Sequence, residues 1–327
     1  MMNDTTDFLE QVRAARQRIS PWIRHTPLMP SPNLTDETPP GLVFKLENMQ
    51  VSGSFKARGA FNQLLQLTPE QRQRGIVAAS GGNHGLAVAY AAQRLGIPAT
   101  VYLPRTASSD RVARIVAFGA QVLQFGTNPT DALNRAQEQA DAEGLPYIHP
   151  FDSDRTIHGT GTLGLELLED VPDADCVLIS IGGGGLISGM SATIKQLRPE
   201  VEIIGVEPVG AATMKVAVQA GHVVELEHIN TIADTLAPRY VSERTRSYAA
   251  RYVDQIVLVE DDAMLRAMRW LWRECNQLVE PSGAAVIAAF QSSAADLGRF
   301  RRPVALICGG NAAAESVFAH YSAMIAK

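Results

Sequence analysis

Cysteine is scarce: Cys176, Cys275 and Cys308 are the only three in 327 residues, and none stands in C-x-x-C spacing. That excludes a disulfide framework and a thiolate metal cluster, and it fits a reducing compartment. Lysine is also rare, with only Lys45, Lys56, Lys195, Lys215 and Lys327, and no basic run occurs in a chain of net charge −5. An electrostatic footprint for nucleic acid or an anionic membrane is therefore absent. No uninterrupted apolar segment is long enough to span a bilayer, and Met1 to Asp7 is polar and acidic where a secretory signal needs basic and then apolar residues. These absences predict a cytoplasmic protein whose partners are small molecules. H-E-x-x-H and G-x-S-x-G are missing and the seven histidines are scattered, so zinc-peptidase and serine-hydrolase chemistry has no support.

What is present is a large apolar fraction, 46% of the residues, enough for one large core or two smaller ones. Phe8, Leu9, Val12, Ala15 and Ile19 form a helical stripe stopped by Ser20-Pro21, which predicts a docking helix. A strand at 42–47 leads to a helix at about 55–67. Strand-like runs at 76–79, 99–103 and 121–125 then alternate with helical stretches at 84–95, 108–118 and 129–143. The pattern resumes with helix 157–168, strand 176–181, helix 186–197 and strand 201–206. After a polar, less periodic segment at 222–251 come strand 255–259, helices 261–275 and 282–290, strand 303–307 and a last helix. Such βα succession predicts an α/β fold of two subdomains, each a mostly parallel sheet flanked by helices, with a ligand cleft between them.

The chain is organised around Ser52-Gly53-Ser54-Phe55-Lys56-Ala57-Arg58-Gly59-Ala60, a small hydroxyl-rich turn followed by a lysine that opens a helix. Free N–H groups in the turn would suit an anion, and the lysine can bond covalently to a carbonyl. A random lysine on such a helix is more often a surface residue. Three further loops follow strands. Ser80-Gly81-Gly82-Asn83-His84-Gly85 reads as a carboxylate cradle or as an ordinary turn with Asn83 capping the helix. Gly182-Gly183-Gly184-Gly185-Leu186 reads as a phosphate site at a helix start, yet it fails both the dinucleotide fingerprint and the P-loop pattern. Cys308-Gly309-Gly310-Asn311 places a thiol at the carboxyl end of a strand, where ligands gather in open α/β sheets.

Together SGSFKARGA, SGGNHG, GGGGL and the late CGGN resemble the fold type II pyridoxal-phosphate enzymes, the tryptophan synthase β-like fold, nearest the serine/threonine dehydratase and serine racemase group. The resemblance extends from His25-Thr26-Pro27-Leu28 through Glu280-Pro281-Ser282-Gly283 to the last strand. It implies a large cofactor-binding domain from residues 1–70 and 152–327, a small domain at 71–151 carrying the asparagine loop, and a homodimer or higher homo-oligomer. It implies pyridoxal 5′-phosphate held covalently by Lys56, with Phe55 packed by the ring, Asn83 on the ring oxygen and Cys308 facing the pyridine nitrogen. Gly182, Gly183, Gly184, Gly185 and Leu186 would hold the phosphate, and Ser80, Gly81, Gly82, Asn83 and His84 the substrate. Lys56 would be the catalytic base and the phosphate the acid for the leaving hydroxyl.

The expected reaction is dehydration and deamination of a β-hydroxy-α-amino acid such as L-threonine or L-serine to a 2-oxo acid and ammonia. Hydroxyaspartate, phenylserine and a serine racemase activity are the alternatives. Three positions depart from the family's pattern. Cys308 stands where many relatives have serine, and Gly81 stands where racemases carry a serine base. Thr213 replaces the aspartate of a cation site whose other members, Glu207 and Ala211, match, so no metal is assigned.

Overall fold

The computed structural model describes residues 4–32 and 41–311. Six strands form its larger sheet: β1 (Leu28–Pro30), β2 (Val43–Leu46), β6 (Cys176–Ser180), β7 (Glu202–Pro208), β8 (Gln255–Val259) and β9 (Pro303–Ile307), in the order β1-β2-β9-β6-β7-β8. Only the β1–β2 pairing is antiparallel. The smaller sheet has three parallel strands, β3 (Ile76–Ala79), β4 (Ala99–Leu103) and β5 (Gln121–Gln124). β2, β6 and β9 are buried at every position, as parallel strands covered on both faces must be.

Helices supply that cover. α7 (Asp154–Asp170), α8 (Gly185–Leu197), α9 (Thr213–Ala220) and α10 (Glu243–Tyr252) pack on one face of the larger sheet, and α11 (Asp261–Cys275) and α12 (Pro281–Gln291) on the other. α4 (Asn83–Leu95), α5 (Ser109–Ala117) and α6 (Pro129–Glu143) flank the smaller sheet. α1 (Asp4–Ile19) docks its Phe8 and Val12 against Ile157 and Leu165 of α7. α2 (Lys56–Leu64) buries Ala57, Ala60, Phe61 and Leu64 in the core shared with α4 and β3, and α3 (Pro69–Arg74) is a surface turn closed by a Thr68–Gln71 capping box.

The alternating runs predicted from the sequence fold as βα units. β1, α3, α9 and α10 were not anticipated. α10 buries only Thr245 and Ala249, so it has no apolar stripe to read, although the Ser242 hydroxyl capping its start was a legible signal. The predicted last helix lies outside the described residues.

A buried charge network fixes α2 from below. Arg58 donates to both carboxylate oxygens of Glu47, at 2.9 and 2.7 Å, and pairs with Glu166 at 2.8 Å. Burial pulls the guanidinium's pKa down, but Glu47 and Glu166 more than offset it and the net direction is up. Lys45 Nζ lies 2.7 Å from Glu166 and 2.6 Å from Asp170. His25, Glu166 and Asp170 have ligand atoms within 4.8 Å of one another, but this ammonium already sits between the two carboxylates where a cation would go. Removing Arg58 would leave Glu47 and Glu166 short of a counter-charge in the interior, which costs about 3–5 kcal/mol.

Candidate active site

Four loops leave the carboxyl ends of parallel strands and meet around one cavity of about 630 Å³ between the sheets. β2 leads to Lys56, β9 to Cys308, β6 to the glycine run and β3 to the Ser80–His84 loop. All the residues singled out in the sequence for cofactor or substrate line this cavity: Phe55, Lys56, Ser80, Gly81, Gly82, Asn83, His84, Gly182, Gly183, Gly184, Gly185, Leu186 and Cys308.

Lys56 is not a surface lysine. It opens α2, whose other residues are all buried, and its Nζ donates to Pro150 O at 2.8 Å and lies 5.0 Å from the centre of the Phe55 ring. Burial pulls the amine down to about 8, and Cys308 and Glu280 restore only part of the loss. The lysine is therefore partly neutral, and nucleophilic, near physiological pH.

Two of the N–H groups around the turn before it are engaged within the protein rather than offered to an anion. Gly53 N–H donates to Gln50 O at 2.8 Å and Phe55 N–H to Cys308 O at 3.1 Å, while Gly310 N–H donates to Gly53 O at 3.1 Å. The turn is stitched instead to the end of β9, which places Lys56 beside Cys308. Phe55 packs in the same core cluster as that cysteine.

The glycine run is squeezed from both sides. A Cβ on Gly183 would lie 2.1 Å from Phe151 Cδ1, and one on Gly182 would lie 2.9 Å from Thr235 O. Gly184 sits at φ +90°, a left-handed conformation that favours glycine, and begins α8 with no side-chain cap. The unsatisfied N–H groups of that first turn border the cavity at a positive helix end. α4 likewise starts from Gly82 with no side-chain cap, whereas Ser108 and Asn128 cap α5 and α6 with their own side chains. Two helix ends are thus left for anionic ligands.

Asn83 is not the helix cap. Its Nδ2 donates to Glu280 at 2.5 Å and its Oδ1 accepts from Asn311 Nδ2 at 2.7 Å. His84 Nε2–H donates to Ile148 O at 2.8 Å, and burial, helped by Lys56, lowers its pKa to about 3, so the ring stays neutral. Cys308 is buried, and its thiol is pushed up to about 12 by burial and Glu280; it is a neutral donor beside Ser282 and Ser180. Sequence reasoning assigned no role to Glu280, which bonds Asn83 and Ser282, nor to Arg111, Asp234, Asn311 and Phe151. Glu280, as the acid before the Pro281 that starts α12, and Asn311, as the end of the CGGN motif, carried a hint.

The group that fits has an aldehyde for a neutral buried amine, an anion for the glycine-started helix, and a ring nitrogen for a small neutral donor. At the cation position suggested by Glu207, Ala211 and Thr213, the buried carboxylate accepts from Met214 N and Lys215 N at 2.7 and 2.9 Å. The Thr213 hydroxyl donates to Pro238 O at 2.8 Å. These groups hold α9 in place, and no metal is assigned.

The chain matches the family described as "Pyridoxal-phosphate dependent enzyme" over residues 19–309. It is 38% identical to a phenylserine dehydratase of Ralstonia pickettii over 97% of this chain and 98% of that protein. It is 36% identical to an L-threonine ammonia-lyase of Thermotoga maritima over 93% of this chain and 75% of that one. Among solved structures, a serine racemase from maize superposes with a TM-score of 0.91 at 33% identity, covering 97% of both chains. The protein belongs to the pyridoxal-phosphate dependent enzymes of fold type II, and its cofactor is pyridoxal phosphate.

Proposed function

We propose that this enzyme dehydrates and deaminates a β-hydroxy-α-amino acid, of the L-threonine or L-serine type, to a 2-oxo acid and ammonia. The observation that carries the reading is the buried Lys56 amine, lowered to about 8, in one cavity with two glycine-started helix ends. When bound, pyridoxal phosphate supplies an electron sink that acidifies the substrate's Cα–H.

The chain's own residues do the rest. Gly182 to Leu186 and the start of α8 hold the phosphate, and Phe55, Asn83 and Cys308 fix the ring. The Ser80–His84 loop and the start of α4 bind the substrate carboxylate, which orients Cα toward Lys56. The neutral Lys56 Nζ takes the Cα proton, the Cβ–O bond breaks, and the hydroxyl leaves as water with a proton that the cofactor's phosphate would supply. The released enamine tautomerises to an imine, which takes up water to give the 2-oxo acid and ammonia. Cys308 stays protonated at working pH because its thiol is held to about 12, so it can donate to a ring nitrogen without placing a negative charge there.

The likeness to a serine racemase raises a second reading. Inversion needs a group on the face opposite Lys56, and Gly81 supplies none. The division into a large domain (1–70 and 152–327) and a small one (71–151), a cytoplasmic location and assembly as a homodimer or higher homo-oligomer complete the proposal; sedimentation checks the last. The activity is tested by adding L-threonine and L-serine to the purified holoenzyme and measuring ammonia and 2-oxo acid. D-serine appearing as fast as pyruvate, seen by chiral chromatography, would move the assignment to the racemases.

A further inference from the structure

Beyond the reacting atoms the cavity continues between two largely apolar surfaces, interrupted by the hydroxyls of Thr106, Ser108 and Thr235. Tyr102, Pro104, Ala107, Pro129, Ala132 and Leu133 line it from the smaller sheet and its helices, opposite Leu236, Ala237 and Pro238. The Tyr102 hydroxyl is already engaged, donating to Gln139 Oε1 at 2.9 Å, so that side chain contributes little besides its ring. Among the described lining residues the basic side chains are Lys56, Arg111 and His84, and the His84 ring is lowered to about 3. Arg111 on α5 is paired with Asp234 of the opposite surface at 2.6 Å.

Resting on the lyase reading, we infer that the substrate's Cβ carries a neutral, apolar substituent, up to an aryl ring, and that Asp234 is the residue that turns acidic side chains away. A second carboxylate entering this space would meet largely apolar walls, where the Thr106 hydroxyl already donates to Thr127 O and the Ser108 hydroxyl already accepts from Arg111 N–H, too few groups to replace its water. To reach Arg111 it must displace Asp234 and then lie beside the released carboxylate, a like charge at close range. An aryl or alkyl group meets no such conflict and buries its surface against Tyr102 and Leu133.

The test compares L-phenylserine, L-threonine and 3-hydroxyaspartate on the holoenzyme and on Asp234→Asn. Phenylserine and threonine should exceed 3-hydroxyaspartate in kcat/KM by at least about tenfold, within the discrimination that a pocket's side-chain contacts achieve. In Asp234→Asn the ratio of 3-hydroxyaspartate to threonine should rise about tenfold through KM, because Arg111 then faces the cavity without its partner. A holoenzyme that prefers 3-hydroxyaspartate, or a variant that leaves the ratio unchanged, overturns the inference. Binding is read separately from the change in cofactor absorbance, which ranks the three compounds even without turnover. Absent ammonia from all three ends the lyase reading, while that ranking still decides this one.

Discussion

The two walls of the cavity are built to different standards. On the side of the larger sheet, Lys56, Cys308 and the glycine run hang from β2, β9 and β6, strands buried at every position, and are backed by α8 and α12 with nearly all their residues buried. On the other side, β3 and most of α4 are buried too, but α5, which carries Arg111, buries only Ile115. The lesson is a division of labour. A cofactor that stays needs groups fixed by dense packing, whereas a substrate that must enter and leave needs a wall held by few contacts. That lighter wall reaches the heavier one through polar ties, Arg111 to Asp234 and Arg114 to Asn311.

The largest effect should come from the heavy wall. Lys56→Ala removes the covalent partner and the proton acceptor together, so 2-oxo acid production should fall by about a thousandfold or more. The phosphate cradle and the melting temperature should be nearly unchanged; unaltered turnover would end the assignment. Gly183→Val drives a side chain into Phe151 and should weaken cofactor retention by about a hundredfold, measured by dialysis and absorbance. Equal damage from a comparable change on α5 would break the contrast between the walls.

Titration sharpens it further. The Lys56 amine must be neutral to capture an aldehyde, and its pKa is lowered to about 8. Cofactor uptake by the stripped protein should therefore rise about tenfold per pH unit below 8 and level off above it. An ordinary lysine would still be climbing there. On the lighter wall, Arg114→Ala loses two hydrogen bonds to Asn311, at 2.9 and 2.7 Å, and should raise substrate KM about three- to tenfold with the cofactor still retained. Cofactor loss in that variant would mean the tie serves both walls. Cys308→Ser exchanges one small neutral donor for another and should keep kcat within about tenfold. Full inactivity with bound cofactor would give the thiol a role that hydrogen bonding does not cover.

Much of the heavy wall was legible in the sequence. Lys56, Asn83 and Gly182 to Leu186 sit in short motifs whose residue types follow from local backbone needs, and the βα alternation around them announces strands and helices. The lighter wall was not legible to the same degree. Arg111 and Asp234 matter because distant segments meet, and nothing within a window of ten residues marks either of them; Asn311 ends the CGGN motif, but its bonds to Ser52 and Asn83 could not be read from it. The turn at Ser52 to Ser54 shows the same limit. Its composition suggested an anion site, but the Phe55 N–H that follows it is taken by Cys308 O, which lies far away in the chain.

That dependence on β9 has a consequence for how the protein is made. β9 lies between β2 and β6 and carries the cysteine to which the lysine turn is stitched, and Ser52 is joined to Asn311 across 259 positions. A nascent chain emerging from the ribosome therefore holds β2 and β6 as unpaired edges until nearly all of its described length has been synthesised. The cofactor site is the last part to close, and until then the chain carries open strand edges of the kind that chaperones shield.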